Sequence, residues 1–434
     1  MNGKRGFRIA GLMLAIWLVG SAGMAYGQGN TWPGGGLAQM VEGAGWRLGP
    51  LRINGAFTLG SAGHDSDVYY QYLGNDPVPD WTFAAGVPAQ ILLPLGKKVV
   101  LDLSDTPQYL FYLDTKNERA WNNTVRGQVH FPLDRFYAQV GGGMADVRRR
   151  LSLELDINVR EKRDDLGGLF LWQASKATSI AFFYERAKYD YGDAEYLGTR
   201  LAERLNRTVD LVDTIAYFQP SKRTRLYLDG QYGNYAFMGG ASENRDAKSY
   251  GIFGGIEFIP LVGGRLGLRG GFKLGYMRLD LANPGLTDGS GIAGEADVSA
   301  RLTHRTSVQF AFSRGFQFSI YSGATYYLST LYRAGLSQSV SRRFILSYDA
   351  QFGSSSYPGT GDFQSLGGDR YSAHTLSLIL RPARYLSVTV YGTLGRRVRP
   401  SADLTTRVRS FFGLSLAYGF PGNQMPSLIG ELAR

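Results

Sequence analysis

Apolar and polar residues alternate one by one along much of the chain, in short segments that recur from about residue 48 to residue 420. In residues 343–353, Phe344, Leu346, Tyr348, Ala350 and Phe352 fall on one side, and Arg343, Ser347, Asp349 and Gln351 on the other. In residues 225–234 the apolar set is Leu226, Leu228 and Tyr232, against Arg225, Asp229 and Gln231. Residues 385–394 set Leu386, Val388, Val390 and Leu394 against Ser387, Thr389 and Thr393. Successive strand side chains point to opposite faces, so each segment predicts a strand with one greasy and one wet face.

Two kinds of connection alternate between these segments. The short ones, at residues 132–134, 175–178, 220–223, 260–264, 303–305, 339–342 and 382–384, carry Pro, Gly, Ser and Asp, as tight turns do. The long ones, at 192–208, 238–248, 282–291, 354–371 and 397–407, are polar. Short turns at one end and long loops at the other predict an all-β protein, a transmembrane antiparallel up-and-down β-barrel of about 18 strands. An even number leaves both chain ends on the periplasmic side. The strands are expected to begin near Leu48, Pro79, Lys97, Arg119, Arg135, Arg163, Ser179, Val209 and Arg223. They continue from Ser249, Arg265, Ile292, Thr306, Thr325, Arg343, Ser372, Tyr385 and Arg409. Residues 148–162 are ambiguous: Leu151, Leu153, Leu155 and Ile157 alternate with polar residues, as in a further strand or a structured outer loop.

Aromatic placement supports a membrane setting. Phe131, Phe136, Phe218, Phe258, Phe344, Tyr385 and Phe420 stand beside short turns or at the end of the last strand, where a girdle at the membrane boundary would put them. The last strand, residues 410–420 (SFFGLSLAYGF), resembles the C-terminal recognition signal of barrels inserted by the outer-membrane assembly machinery, with Gly413, Leu416, Tyr418 and Phe420 as its elements. The 421–434 tail departs from that pattern.

Composition agrees with a barrel. The 434 residues include 58 Gly, 27 Tyr and 24 Phe, only 19% are charged, and no apolar run after the N-terminus is long enough for a membrane helix. The absence of Cys removes disulfides, thiolate metal sites and Cys nucleophiles. Residues 1–27 read as a secretory signal: Lys4, Arg5 and Arg8 precede the apolar stretch 9–19, and Ala25-Tyr26-Gly27 offers a cleavage site. Cleavage lowers the formal charge from +11 by three, to +8. That excess favours anionic partners, but no basic run interleaved with stacking aromatics points to nucleic acid. Residues 28–47 form a short N-terminal periplasmic segment, either a partial plug or, the simpler expectation, a flexible lead. The barrel then covers 48–420, and 421–434 is a periplasmic tail.

A barrel of this size leaves an aqueous channel, so its inner wall carries the function. In residues 265–279, Leu266, Leu268, Phe272, Leu274 and Tyr276 are expected to face lipid, and Arg265, Arg269 and Lys273 to face inward with Gly267, Gly271 and Gly275 between them. A charge on the lipid face would cost about 2–4 kcal/mol at mid-bilayer. The next strand adds Glu295, Asp297 and Arg301, and other strands add Asn122, Arg126, Gln128, Asp229, Glu257, Arg333 and Asp349. Two readings stay open. Opposite charges, such as Arg269 or Lys273 with Asp297, tie the wall together, or the basic residues form a path for an anionic solute or polymer.

Enzyme chemistry has little to work with. His64, His130, His304 and His374 show no metal-ligand spacing, and no base is placed to activate a Ser nucleophile. No cofactor is expected. The one dense cluster, His64-Asp65-Ser66-Asp67, fits a loop that could hold a cation.

The chain resembles the Putative beta-barrel porin 2-like family. The resemblance rests on LGPLRINGAFTLGSAGHDSDVYY (48–70), a first strand followed by a polar loop, and most of all on LNRTVDLVDTIAYFQPSKRTRLYLDGQYGNYAF (205–237), two strands about a short P-S-x-R-T turn. It implies a conduit for exopolysaccharide secretion, partnered by periplasmic polysaccharide-export proteins. A general diffusion porin for small solutes is the alternative, and a barrel with an obstructed lumen is a third reading.

Overall fold

The computed structural model describes residues 33–420, apart from 70–75, 97, 151, 153, 156–157, 193, 197, 240–243, 260–266, 322–323, 358–367 and 400–404. The expected signal segment 1–27, the tail 421–434 and Arg265 lie outside the described residues.

Eighteen antiparallel strands form one closed sheet. The first is β1 (Leu51–Asp65). The second and third each come in two halves, β2 as Asp80–Gly86 and Ala89–Leu95, and β3 as Val99–Asp105 and Gln108–Tyr112. Pro88 and Pro107 sit at the breaks, where a missing N–H interrupts the ladder. Next come β4 (Ala120–Pro132), β5 (Phe136–Arg149), β6 (Val159–Gln173), β7 (Thr178–Asp190), β8 (Arg207–Ser221) and β9 (Thr224–Phe237). They are followed by β10 (Ala247–Phe258), β11 (Gly267–Leu281), β12 (Gly289–Arg301), β13 (Thr306–Phe318) and β14 (Tyr326–Ser339). The last are β15 (Phe344–Ser356), β16 (Arg370–Ala383), β17 (Leu386–Arg399) and β18 (Thr405–Phe420). β18 pairs with β1 from Gly55↔Phe420 to Asp65↔Phe411, which closes the barrel. Every expected strand start lies within four residues of the observed one.

Alternation decides what each face meets. Phe136, Val140 and Met144 on β5, Leu166, Phe170 and Trp172 on β6, and Leu268, Phe272, Leu274 and Tyr276 on β11 are exposed large apolar groups. Their neighbours in sequence turn inward. A face of this kind is stable only in hydrocarbon, because all backbone groups of a closed barrel are paired within the sheet. The protein is therefore an outer-membrane barrel, with its short turns on the periplasmic side.

Between β5 and β6 the described residues 150, 152, 154–155 and 158 belong to no further strand, in line with the loop alternative, and Leu155 is fully buried. Near the N-terminus, helix α1 (Pro33–Glu42) replaces the expected flexible lead. Its Leu37, Met40 and Val41 share one helical face and pack on Leu92 of β2 and Val100 of β3, both on the inner wall. A short strand, Trp46–Leu48, then pairs back on Leu51–Ile53.

Candidate functional site: the inner wall and its two mouths

The wall from β6 to β12 is crowded because glycines on one strand leave room for rings and chains from the next. A Cβ on Gly255 would fall 2.2 Å from the Tyr227 ring, and one on Gly275 would fall 2.7 Å from Phe253 Cδ1. Tyr227 and Phe253 therefore lie flat along the wall, and charged groups beside them become buried. Lys273 of β11 stands directly opposite Glu295 of β12, with Nζ 3.8 Å from its carboxylate. The same ammonium passes the Phe253 ring at 5.3 Å and reaches Asp229 of β9 at 3.3 Å. Gln231 donates to the same carboxylate at 2.9 Å. Arg225 Nε donates to Glu257 at 2.7 Å and stacks on Tyr217. Arg163 pairs with Glu185, and Arg126 donates to both oxygens of Asp165 at 3.0 and 2.8 Å.

The pairing differs from the partners expected from sequence. Asp297 was the expected acid for Arg269 or Lys273, but register sets it opposite Gly271 and sets Arg269 opposite Ser299. Arg269 Nε accordingly donates to Ser299 Oγ at 2.7 Å, and Asp297 accepts from Gln309 at 3.5 Å. Arg301, opposite Gly267, is exposed. Across the barrel, Arg333 Nε donates to Asp349 at 2.9 and 2.7 Å. Elsewhere on that arc neutral groups meet, Ser347 with Ser377 at 2.8 Å and Thr375 with Thr393 at 2.9 Å, and Arg397 of β17 donates to Asp369 at 2.9 Å near the long-loop end. On the last strand, Leu416 and Tyr418 share the lipid side, while Gly413 faces inward and leaves room for the Phe411 ring.

The long-loop mouth is closed down by an element that sequence reasoning missed. β13 pairs with β12 only from Ser307↔Arg301 up to Arg314↔Gly294. Beyond that point β12 stays with β11, and β13 continues with β14 alone to Phe318↔Tyr326. At this fork Arg314 Nε donates to the Ile292 carbonyl at 3.2 Å. The freed hairpin folds inward: Phe318 meets Tyr235 and Phe237 at 5.0 and 4.8 Å, and Tyr326 packs on Ala247 and Leu279. These partners lie on the inner faces of β9, β10 and β11. The signal was present in the sequence, because residues 316–327 carry Phe316, Phe318, Ile320, Tyr321, Tyr326 and Tyr327 on both faces, as in a strand buried on both sides.

Other loops lock onto this hairpin. Glu154, in the β5–β6 loop, accepts from Ser319 Oγ at 2.7 Å, from Ile320 N at 2.9 Å and from Tyr357 Oη at 2.8 Å. Burial pushes its carboxyl up to about 7, Asp369 adds to the rise, and the three donors oppose it. Leu155 and Ile320 join Tyr191, Tyr196, and Leu201 and Leu205 of helix α2 (Leu201–Leu205) in one buried cluster. Arg245 ties the carbonyls of Arg204, Ser319 and Thr325 together, at 2.8, 2.7 and 2.7 Å.

The short-turn mouth is narrowed by α1, fixed through a polar relay. Gly45 N donates to Asn54, Asn54 to Gln90, and Gln90 to Asp102, at 3.0, 3.2 and 3.1 Å. His130 is buried beside Asp102 at 3.7 Å and meets Tyr137 Oη at 2.7 Å. His64 packs edge-on to Trp81, and its neighbour Asp65 is held by Arg409 at 2.7 Å. Among the described residues, no group of three or more His, Asp and Glu is arranged to hold a metal ion.

Comparison with solved structures finds similar barrels at low identity. The outer membrane protein OpdK from Pseudomonas aeruginosa shares 10% identity, with 85% of this chain and 98% of that one covered and a TM-score of 0.48. A BenF-like porin from Pseudomonas fluorescens Pf-5 shares 10%, with 86% and 99% covered and a TM-score of 0.49. A bacterial polysaccharide outer membrane secretin shares 10%, with 86% and 100% covered and a TM-score of 0.37. No curated protein sequence matches the chain. The Putative beta-barrel porin 2 family profile matches residues 173–391, half of the chain, from the end of β6 into β17. The chain therefore belongs to the Putative beta-barrel porin 2 family.

Proposed function

We propose that the barrel is a diffusion pore for small polar solutes, charge-balanced along its wall and narrowed by its own loops. The observation that carries this reading is the setting of Lys273, held between Asp229 and Glu295. A polyanion sliding through a pore needs cations in series that are free to exchange partners. A lysine buried between two carboxylates already has its counter-charges. The infolded β13–β14 hairpin and the Glu154 contacts across the mouth further oppose passage of an extended polymer. The exposed Arg269 and Arg301, beside Asp297 and Gln309, offer a small solute donors and acceptors together.

Liposome swelling tests this. Vesicles carrying the barrel should swell in monosaccharides and small amino acids, and swelling should fall steeply with oligosaccharide length. Equal swelling rates for long and short saccharides would contradict the proposal. We further propose that the lumen residues named above set solute preference, that residues 1–27 are removed on export, that 28–47 and 421–434 stay at the periplasmic side, and that Gly413, Leu416, Tyr418 and Phe420 address the chain to the assembly machinery.

A further inference from the structure

Where β12 and β13 part at the long-loop end, each is left with an edge that fits the other. From Arg301↔Ser307 to Gly294↔Arg314 they are paired without a break. Above that, among the described residues, 289–293 of β12 pair only with β11, and 315–318 of β13 only with β14. The Leu302 N–H donates to the Thr306 carbonyl at 2.9 Å, so even-numbered residues of the two strands turn their backbone groups toward each other. Continued upward, the same register would set Ala293 opposite Gly315, Ile292 opposite Phe316, Gly291 opposite Gln317 and Ser290 opposite Phe318. Arg314 stands in for that ladder. Its Nε donates to the Ile292 carbonyl, the acceptor that the Phe316 N–H would take, and its Nη1 donates to Thr330 Oγ1 at 2.8 Å.

The side chains of this short segment suit two arrangements. Phe316 and Phe318 share the parity of Phe310, which is exposed on the lipid side. Gln317 shares that of Ala311, set opposite the inward Asp297. Zipped onto β12, both rings would join the lipid face and Gln317 would meet the lumen. Infolded, Phe316 and Tyr326 meet edge-on at 5.4 Å over Gly289, on the face of β12 that carries Glu295. A Cβ there would fall 3.2 Å from the Phe316 ring and 2.9 Å from the Tyr326 ring. The infolded form also leaves Gln317 Nε2 buried without a hydrogen-bond partner, a cost that the zipped form removes.

We propose that the β13–β14 hairpin is a gate with two seats. In one it is infolded and narrows the mouth. In the other, residues 315–318 zip onto the free edge of β12, Phe318 leaves Tyr235 and Phe237, Ser319 and Ile320 leave Glu154, and the mouth opens. The ladder below Gly294 is already in register, so opening extends existing pairing and needs no strand slip. Arg314 is the catch, because it holds the first carbonyl that the zipped ladder needs.

The gate rests on the pore reading of the barrel, and the test reads the two separately. It uses the refolded full-length chain, whose lack of Cys leaves engineered thiols unambiguous. Gly291→Cys/Gln317→Cys puts thiols on a non-hydrogen-bonded pair of the zipped register, about 4.5 Å apart at Cα and within disulfide reach. A Cβ at Gly291 meets nothing within 4 Å, so that substitution itself is mild. Under mild oxidant in micelles this variant should crosslink, and Gly291→Cys/Ser319→Cys, two residues out of register, should crosslink far more slowly. In planar bilayers the oxidised in-register variant should show steps about twofold larger than wild type, because the narrowest section has widened, and reduction should reverse the gain. Arg314→Ala, with no engineered thiol, should lengthen the time spent in the larger step on the order of tenfold, as loss of one charged hydrogen bond would. No crosslink in register, or equal crosslinking by both pairs, would overturn the gate. So would a step unchanged by oxidation, or dwell times unchanged in Arg314→Ala. An in-register crosslink in a barrel that never conducts would support the zipped form and sink the pore reading instead.

Discussion

The inner wall has two arcs that share one sequence pattern and differ in energetics. On β9 to β12 the paired inward charges are buried: side-chain exposure is 11% at Lys273, 2% at Asp229, 8% at Glu295 and 6% at Glu257. On β14 and β15 the same kind of pair, Arg333 with Asp349, keeps 15% and 31% exposure. Both arcs alternate apolar and polar residues. What separates them is what lies over the glycines: the Tyr227 and Phe253 rings cover Gly255 and Gly275 on the first arc, whereas Gly335, opposite Asp349, is met by Asp349 and Gln309. Glycines at 255, 271 and 275 let neighbouring chains lie down on the wall, and burial follows. In a pore, then, alternation fixes which way a side chain points, and its neighbours' sizes fix whether it meets water.

The largest effect expected from this contrast is at Lys273. Lys273→Met leaves Asp229 and Glu295 buried without their cation and should destabilise the barrel by about 3–5 kcal/mol, as breaking a buried pair does. Arg333→Met on the open arc should cost about 0–1 kcal/mol. Urea unfolding in micelles checks both, and equal costs would remove the distinction between the arcs. Next in size is Gly255→Ala, whose new methyl meets the Tyr227 ring and should cost about 1–3 kcal/mol as overpacking. Gly335→Ala, with Asp349 Oδ2 3.3 Å from the new atom, should cost clearly less.

A smaller effect concerns the long-loop mouth and pH. With the loop docked, the Glu154 carboxyl is pushed from 4.5 up to about 7, so docking is favoured by protonation. That contribution is fully present below about pH 4.5 and is lost as pH rises through about 7. Openings of single channels should therefore lengthen as pH is raised through 7, and Glu154→Gln should abolish the dependence. A pH response unaltered in Glu154→Gln would place the titrating group elsewhere. The smallest effect is on ion selectivity. Wild type should show weak charge preference in a salt gradient, and Arg269→Glu/Arg301→Glu should shift it towards cations, because both side chains are exposed.

Much of this architecture was legible in the sequence. Strand starts followed from the period-two pattern, and the lipid-facing sets on β9, β11, β15 and β17 followed from the same alternation. The partner of Lys273 was not, since pairing depends on register to within one residue and on a reach across β10 to Asp229. Helix α1 was hidden by its glycine-rich start, although Leu37, Met40 and Val41 already stood at helical spacing. The infolded hairpin was missed because the rule that turns a barrel strand inside out and lipid-facing assumes that its ladder continues on both sides. Where β13 leaves β12 at Arg314, that assumption ends, and the aromatic residues that would mark a membrane girdle become a plug.

The measurement closest to the central claim is single-channel conductance of the refolded protein in planar bilayers, with anionic polysaccharide added to either side. A wall of paired charges behind a narrowed mouth predicts small steps that the polymer leaves unchanged in frequency and duration. Large steps that the polymer interrupts, with the interruptions weakened by charge reversal at Arg269 and Lys273, would contradict the account and return the barrel to a polymer conduit.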